Sequence, residues 1–146
     1  MRALSTRMVS MLALVCAAVA ALPITAEPVP EVEALEIQGV IVAQLAAFAE
    51  DDADRAFQTA TPAVREAIGA SGLFLALVRG AYPMVYRPAS VTFHKPQQDN
   101  GSVLQLVEIT DTQAKSWLAL FALEQQPDAS WRISGCVVRE NRWQRV

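Results

Sequence analysis

Glu108 is one of two candidate side chains for acid/base chemistry in this sequence. It lies in the apolar segment VLQLVEIT, at residues 103–110, where strand alternation places it on the same face as Leu104 and Leu106. Burial of that face would raise the pKa of the carboxyl group and make Glu108 a proton acceptor. The opposite face is more apolar, so a solvated or ion-paired carboxylate is the alternative.

His94 is the second candidate and the only histidine of the chain. Alternation over residues 91–95 places it opposite Val91 and Phe93, towards solvent or the other surface of a sheet. Catalysis by His94 as half of a dyad would require a neighbouring carboxylate. A surface or hydrogen-bonded histidine is the alternative.

Four further side chains are candidates for contact with a ligand. Tyr82, Tyr86 and Arg87 surround Pro83, which breaks the chain between a helical and an extended segment. Amphipathic rings at such a corner can line the mouth of a pocket, or they can anchor the corner itself. Trp117 is the fourth candidate, although its ring is equally typical of a core or an interface.

The composition limits the cofactors and partners. The chain has 12 Lys and Arg against 15 Asp and Glu, and loss of an amino-terminal segment containing Arg2 and Arg7 would leave 10 against 15. This acidic balance argues against a nucleic-acid partner. Outside that segment the chain keeps one histidine and one cysteine, Cys136. We therefore expect no zinc site, no cofactor and no internal disulfide. A metal site is not expected either: one built on oxygen ligands is the alternative, but no calcium-loop spacing of acids is present. We expect Cys136 to be a core side chain on a strand, with pairing between chains or a reactive thiol as the alternative.

Residues 1–26 have the pattern of a signal peptide. Arg2 and Arg7 precede a 15-residue run with one polar side chain, MVSMLALVCAAVAAL. As a helix this run spans about 22 Å, which is short of the roughly 30 Å hydrocarbon core of a membrane. Pro23 follows, and Ala26 is a suitable last residue before cleavage. We predict a periplasmic or secreted protein without stable membrane attachment; an uncleaved anchor is the alternative.

The first half of the remaining chain predicts three or four helices after an extended leader at residues 27–32. Apolar positions recur at helical spacing over residues 33–49. Asp52 or Asp54 can cap a second short helix, and Thr61 followed by Pro62 begins a third that stops at Gly69. The fourth, at residues 71–79, would bury the stripe Leu73, Phe74, Leu77 and Val78.

The second half predicts four strands joined by short turns, which make an antiparallel meander. They lie at residues 91–95, 103–110, 115–124 and 131–139, with Asn100 and Gly101 as a turn signal in the loop 96–101. The order of the elements predicts an α+β domain with helices on one face of the sheet. The segment SWLALFALE is apolar on both faces, so we expect a homodimer through the sheet, or coverage by the chain's own tails.

Two longer segments carry a family resemblance. IQGVIVAQLAAFAEDDADRAFQTATPAVR, at 37–65, and LVRGAYPMVYRPASVTF, at 77–93, resemble the DUF4864 family of uncharacterised bacterial proteins, within the nuclear transport factor 2-like (NTF2-like) and SnoaL-like superfamily. The resemblance implies a cone: helices packed on a curved four-stranded sheet over residues 33–140, followed by a tail at 141–146. It also implies a pocket between the helices and the concave face of the sheet.

The resemblance implies binding more directly than catalysis, because fold does not determine activity. We expect an exported domain that binds a small apolar ligand or a protein partner. The alternatives are an isomerase- or dehydratase-type enzyme, using Glu108 or His94 within the cone, and a structural dimerisation module.

Overall fold

A computed structural model describes residues 27–144, so the predicted signal peptide lies outside the described residues. These residues form five α-helices followed by an antiparallel sheet of five strands. The helices are α1 Glu31–Ala49, α2 Ala53–Gln58, α3 Pro62–Ile68, α4 Ser71–Ala81 and α5 Pro83–Tyr86. The strands are β1 Ser90–Phe93, β2 Gln97–Asp99, β3 Ser102–Thr110, β4 Ser116–Gln125 and β5 Trp131–Glu140, and a 3-10 helix follows at Arg142–Gln144. The α+β prediction is confirmed.

The longest helix, α1, supplies one side of the core. Its buried residues follow the predicted spacing and include Ile37, Ile41, Gln44, Leu45 and Phe48. By length and composition alone α1 could cross a membrane, a test that the core helices of soluble proteins also pass. Burial of its apolar stripe within this domain identifies α1 as a core helix.

The short helices α2 and α3 are fixed by the predicted caps. The Asp52 side chain accepts a hydrogen bond from the Arg55 amide at 3.1 Å, and Thr61 Oγ1 accepts from the Val64 amide at 3.3 Å. These bonds satisfy amides that have no partner within the first turn of a helix. Gly69 ends α3 with φ of +94°, a conformation that favours glycine.

The buried stripe of α4 differs from the prediction. Val78 is buried and Phe74 packs on Phe48 with ring centroids 5.3 Å apart, but Leu73 and Leu77 are 50% and 49% exposed. The reason is that α4 packs mainly on α2 and α5, so only one narrow side of it is covered. Beyond Tyr82 the chain makes one more helical turn, α5, which raises the helix number above the predicted three or four.

The sheet has one strand more than predicted. Its order is β1-β3-β4-β5. Strand β1 pairs with residues 107–110 of β3, and β2 pairs with residues 102–104 at the other end of β3. The prediction placed β2 in a loop because its residues, Gln97–Asp99, are polar and exposed. The turn signal is confirmed, since Asn100 and Gly101 have φ of +47° and +85° and connect β2 to β3.

The two faces of the sheet have different environments. The inner face packs on the helices and buries one polar side chain, Gln105, among the apolar positions Val103, Val107, Ile109, Ala119, Phe121, Leu123 and Ile133. The opposite surface, called the outer face below, carries Leu104, Leu106 and Glu108 of β3, Leu118, Leu120 and Ala122 of β4, and Val137 and Arg139 of β5. At its centre Leu120 and Val137 are 38% and 55% exposed.

Candidate functional site: an apolar cavity between the helices and the sheet

A cavity of about 160 Å³ lies between the helices and the inner face of β4 and β5. Its wall is almost wholly apolar and consists of Gln44, Phe48, Ala60, Val64, Phe74, Val78, Tyr82, Val85, Phe121, Ile133, Gly135, Cys136 and Val138. We take this cavity as the candidate site, since ligand sites are concave and mostly apolar with a few polar groups.

The junction of α2 and α3 determines where the cavity lies. Its backbone pairs with β5: the Thr61 amide donates to the Ile133 carbonyl at 3.0 Å, and the Ile133 amide donates to the Thr59 carbonyl at 2.8 Å. The residues facing the cavity at this point, Ala60 and Gly135, have little or no side chain. Large rings from α1, α4 and β4 surround the space that these small residues leave.

The cavity wall contains few polar groups. Gln44 is 4% exposed, and its Nε2 donates to Thr59 Oγ1 at 2.9 Å. Tyr82 is 43% exposed and lies at the rim. None of the described wall residues is a carboxylate, an imidazole or an amine. The wall therefore offers neutral hydrogen-bonding groups and no acid/base pair.

Cys136 lies on a strand as predicted, β5, but it is exposed, so the prediction of a core side chain is wrong. It stands on β5 near the edge of the sheet and contributes to the cavity wall. Although the residue as a whole is exposed, atoms of the cavity wall surround its sulfur, and this desolvation raises the pKa of the thiol to about 12. The thiol is therefore protonated at neutral pH and reacts slowly.

Glu108 and His94 lie together, but outside the cavity. Both are on the outer face, with His94 Nε2 3.9 Å from Glu108 Oε2, and the Ser116 hydroxyl donates to Glu108 at 3.3 Å. The side chain of His94 is 48% exposed and that of Glu108 is 23% exposed. Neither residue lines the cavity, so an isomerase- or dehydratase-type reaction inside it would require other side chains.

Tyr86 and Arg87 lie in a separate set of contacts, here called the Asp51 cluster. Arg79 Nη2 is 2.7 Å and Arg87 Nη2 is 3.4 Å from the Asp51 carboxylate, and the Tyr86 hydroxyl donates to the same carboxylate. The two guanidinium groups lie 5.2 and 4.7 Å from the centroid of the Tyr86 ring. The Tyr86 and Arg79 hydrogen bonds lower the pKa of Asp51. The cluster connects the end of α1 to α4 and α5.

Trp117 also lies outside the cavity. Its indole Nε1 donates to Asp111 Oδ2 at 2.9 Å, and Lys115 Nζ is 4.5 Å from its ring centroid. The hydrogen bond from Trp117, followed by the Lys115 backbone bond, lowers the pKa of Asp111. Of the four predicted ligand contacts, only Tyr82 is in the cavity wall.

Sequence reasoning missed most of the wall. Phe48 and Phe121 were recognisable as core positions from helical and strand spacing, but spacing does not show that a void separates them. Within residues 27–144, no group of three or more His, Cys, Asp or Glu could hold a metal ion.

A comparison with protein families decides the family. The family model DUF4864, a domain of unknown function, matches residues 30–146. The chain belongs to the DUF4864 family. No curated protein and no solved structure matches it significantly.

The DUF4864 match includes all of the described helices and strands. The segment YPMVYRP at residues 82–88, part of the resembling segment 77–93, has a structural role in this domain. It supplies Tyr82 to the cavity rim and Tyr86 and Arg87 to the Asp51 cluster.

Proposed function

We propose that this DUF4864 domain binds a small, neutral, apolar molecule in the cavity between its helices and its sheet. The observation that carries the proposal is the apolar wall around a void of about 160 Å³. The cavity opens to solvent beside Tyr82 and Cys136, so its apolar wall is in contact with water when no ligand is bound, which is unfavourable. A ligand that covered this wall would remove apolar surface from water.

The volume and the wall define the class of ligand. An engineered apolar cavity of about 150 Å³ accepts benzene, so a six-membered ring is the appropriate size. A charged ligand would lose its hydration without gaining a counter-charge, since the described wall residues are uncharged. Gln44 and Tyr82 would favour a single hydroxyl or carbonyl group, as in a phenol.

The same geometry supports binding over acid/base catalysis. The His94–Glu108 pair lies on the outer face, while the wall contributes only amide, phenol and thiol groups. We further propose that the domain is an NTF2-like cone and that it works after export, in the periplasm or outside the cell. Helices packed on one face of an antiparallel sheet, with a cavity between them, support the proposed cone.

Titration with benzene, phenol and benzoate, followed by amide chemical shifts and thermal denaturation, tests the binding proposal. We expect benzene and phenol to raise the melting temperature and to shift the resonances of residues around the cavity, because a ligand that binds only the folded state stabilises it. Benzoate should have the weakest effect. The absence of any shift at millimolar benzene would contradict the proposal.

A filled cavity provides the control. Val64 is half-buried and lines the cavity, whereas Ala63 is exposed on the same helix, α3. We expect Val64→Phe to reduce benzene affinity about 10-fold or more, the loss that 1.4 kcal/mol represents. Ala63→Phe, which adds the same ring outside the cavity, should bind as the unmodified protein does. Equal affinities in the two variants would place the ligand elsewhere.

A further inference from the structure

The outer face of the sheet carries apolar side chains at its centre, on three neighbouring strands. Three neighbouring strands place Leu106, Leu120 and Val137 in one row across it, since Leu106 pairs with Leu120 and Leu120 pairs with Val137. The next rows add Leu104 beside Ala122 on one side and Leu118 on the other. Antiparallel sheets that face water normally carry polar side chains at such positions.

A charged row next to these apolar rows limits what can cover the face. Glu108 on β3 pairs with Leu118, and Leu118 pairs with Arg139 on β5. The acid and the base therefore lie on opposite sides of β4, each one strand away, or about 4.8 Å. A rotation of 180° about an axis along β4 exchanges the two positions. It places the carboxylate of one copy over the guanidinium of the other.

The geometry points to a second copy of this chain as the occupant of the outer face, with a two-fold axis along β4. In this arrangement Leu120 meets its own counterpart and Leu106 faces Val137 of the other protomer. Glu108, which also contacts His94 and Ser116 of its own protomer, pairs with Arg139 of the other copy and closes the apolar rows at one end. Sheets packed in this way lie about 10 Å apart. The contact is self-complementary, as a two-fold interface must be.

The far end of the same face forms a polar rim. There Ser102, Glu124 and Arg132 form one row across β3, β4 and β5. The two-fold axis brings the two copies of Glu124 near each other, with an Arg132 from each protomer on either side. The acids at this end therefore also have basic neighbours.

The chain's own residues 1–26 are the competing occupant of the outer face. The described chain enters beside the sheet, where Pro28 bridges to Gln97 of β2, at the edge of the row that contains Leu104. An apolar segment attached there would reach the outer face. Charge reversal distinguishes the two occupants, because the predicted signal peptide carries no acid to pair with Arg139.

The test is the oligomeric state of the protein recovered from an exporting bacterium, with its intact mass recorded, by sedimentation equilibrium at micromolar concentration. We expect a dimer. Leu120→Lys should weaken it at least about 100-fold, since the axis brings two new charges together. Leu73→Lys, at an exposed leucine of α4, should leave the dimer unchanged. A monomeric wild-type protein, or dissociation by Leu73→Lys instead, would overturn the proposal.

Charge reversal tests the axis itself. Arg139→Glu places carboxylates opposite one another, and Glu108→Arg does the same with guanidinium groups, so each single variant should dissociate at least about 10-fold more readily. The double variant Glu108→Arg/Arg139→Glu restores complementarity and should recover the wild-type dimer. Circular dichroism should show all three variants folded. Loss of the dimer without rescue, or a monomer that retains residues 1–26, would overturn the assigned geometry.

Discussion

At the scale of single residues, Asp51 holds the segment YPMVYRP at residues 82–88 against the end of α1. It has φ of +56°, which is uncommon for a residue other than glycine, and its carboxylate accepts hydrogen bonds from the Tyr86 hydroxyl and from Arg79. Aspartate is one of the few residue types that tolerate this conformation, because its short polar side chain can bond locally. The ionised carboxylate therefore fixes the corner between α1 and the segment YPMVYRP.

We predict that Asp51→Asn reduces stability at neutral pH and leaves it unchanged in strong acid. The folded state lowers the pKa of Asp51, mainly through the Tyr86 hydrogen bond and then through Arg79. A lowered pKa stabilises the folded state at pH values above the ordinary value of 3.8, and this contribution is lost as the pH falls through the folded-state pKa. The difference between the urea midpoints of the two proteins should therefore shrink from pH 7 towards pH 2.

Asp99→Asn serves as the matched control for this experiment. Asp99 is an exposed aspartate of β2, remote in the fold from the two arginines of the Asp51 cluster. We expect its substitution to leave the pH dependence of the urea midpoint unchanged. A constant difference between Asp51→Asn and the unmodified protein at all pH values would show that the Asp51 effect is not due to its charge.

At the scale of elements, α3 depends on its first turn more than the other helices do. It has no fully buried residue and is half-buried only at Val64, Arg65 and Ile68, so packing holds it less firmly than the helices with buried residues. Thr61 is 3% exposed and caps it, while the Thr61 amide donates to β5. The same residue thus begins the helix and attaches it to the sheet beside the cavity.

Thr61→Ala should lower the free energy of unfolding by about 1 kcal/mol, the usual cost of losing a side-chain cap. Urea denaturation measures this change. Thr61→Ser keeps the hydroxyl and should retain most of the stability. A destabilisation by serine as large as that by alanine would assign the effect to packing of the threonine methyl group instead of the cap.

The elements that sequence reasoning located are those with local causes. The caps at Asp52 and Thr61 and the turn at Asn100 and Gly101 depend on neighbouring residues only, and all are confirmed. The errors have tertiary causes. Strand β2 is polar and exists because β3 is long enough to pair with it, and Leu73 of α4 is exposed because no element covers that side.

The candidate site was predicted less well than the fold, for the same physical reason. Strand alternation places Glu108 beside Leu104 and Leu106 and places His94 opposite Val91 and Phe93, but periodicity alone shows neither that the two residues meet nor which face borders a cavity. The void depends on the distance between α3 and β5, which is determined by backbone bonds between residues more than 70 positions apart in the chain, Thr61 and Ile133. Sequence periodicity therefore does not predict the distance between α3 and β5.

At the scale of the whole molecule, the proposals require the domain to function without residues 1–26. Both the cavity and the outer face are formed by residues 27–144, and the thiol of Cys136 is protected by its raised pKa of about 12. A protonated thiol forms disulfides slowly even in an oxidising compartment. Cys136, the one cysteine among residues 27–144, is therefore compatible with the proposed export.

We predict that the full chain, expressed in a Gram-negative bacterium, is recovered from the periplasm with Glu27 as its first residue. The apolar run is too short to span a membrane easily, and Ala26 suits a signal peptidase. Intact mass and amino-terminal sequencing measure the cleavage. Leu14→Arg, which places a charge in the apolar run, should retain the uncleaved chain inside the cell. Recovery of the unmodified chain in the membrane fraction with residues 1–26 attached would show instead that the segment is an anchor, and the domain would then work at a membrane surface.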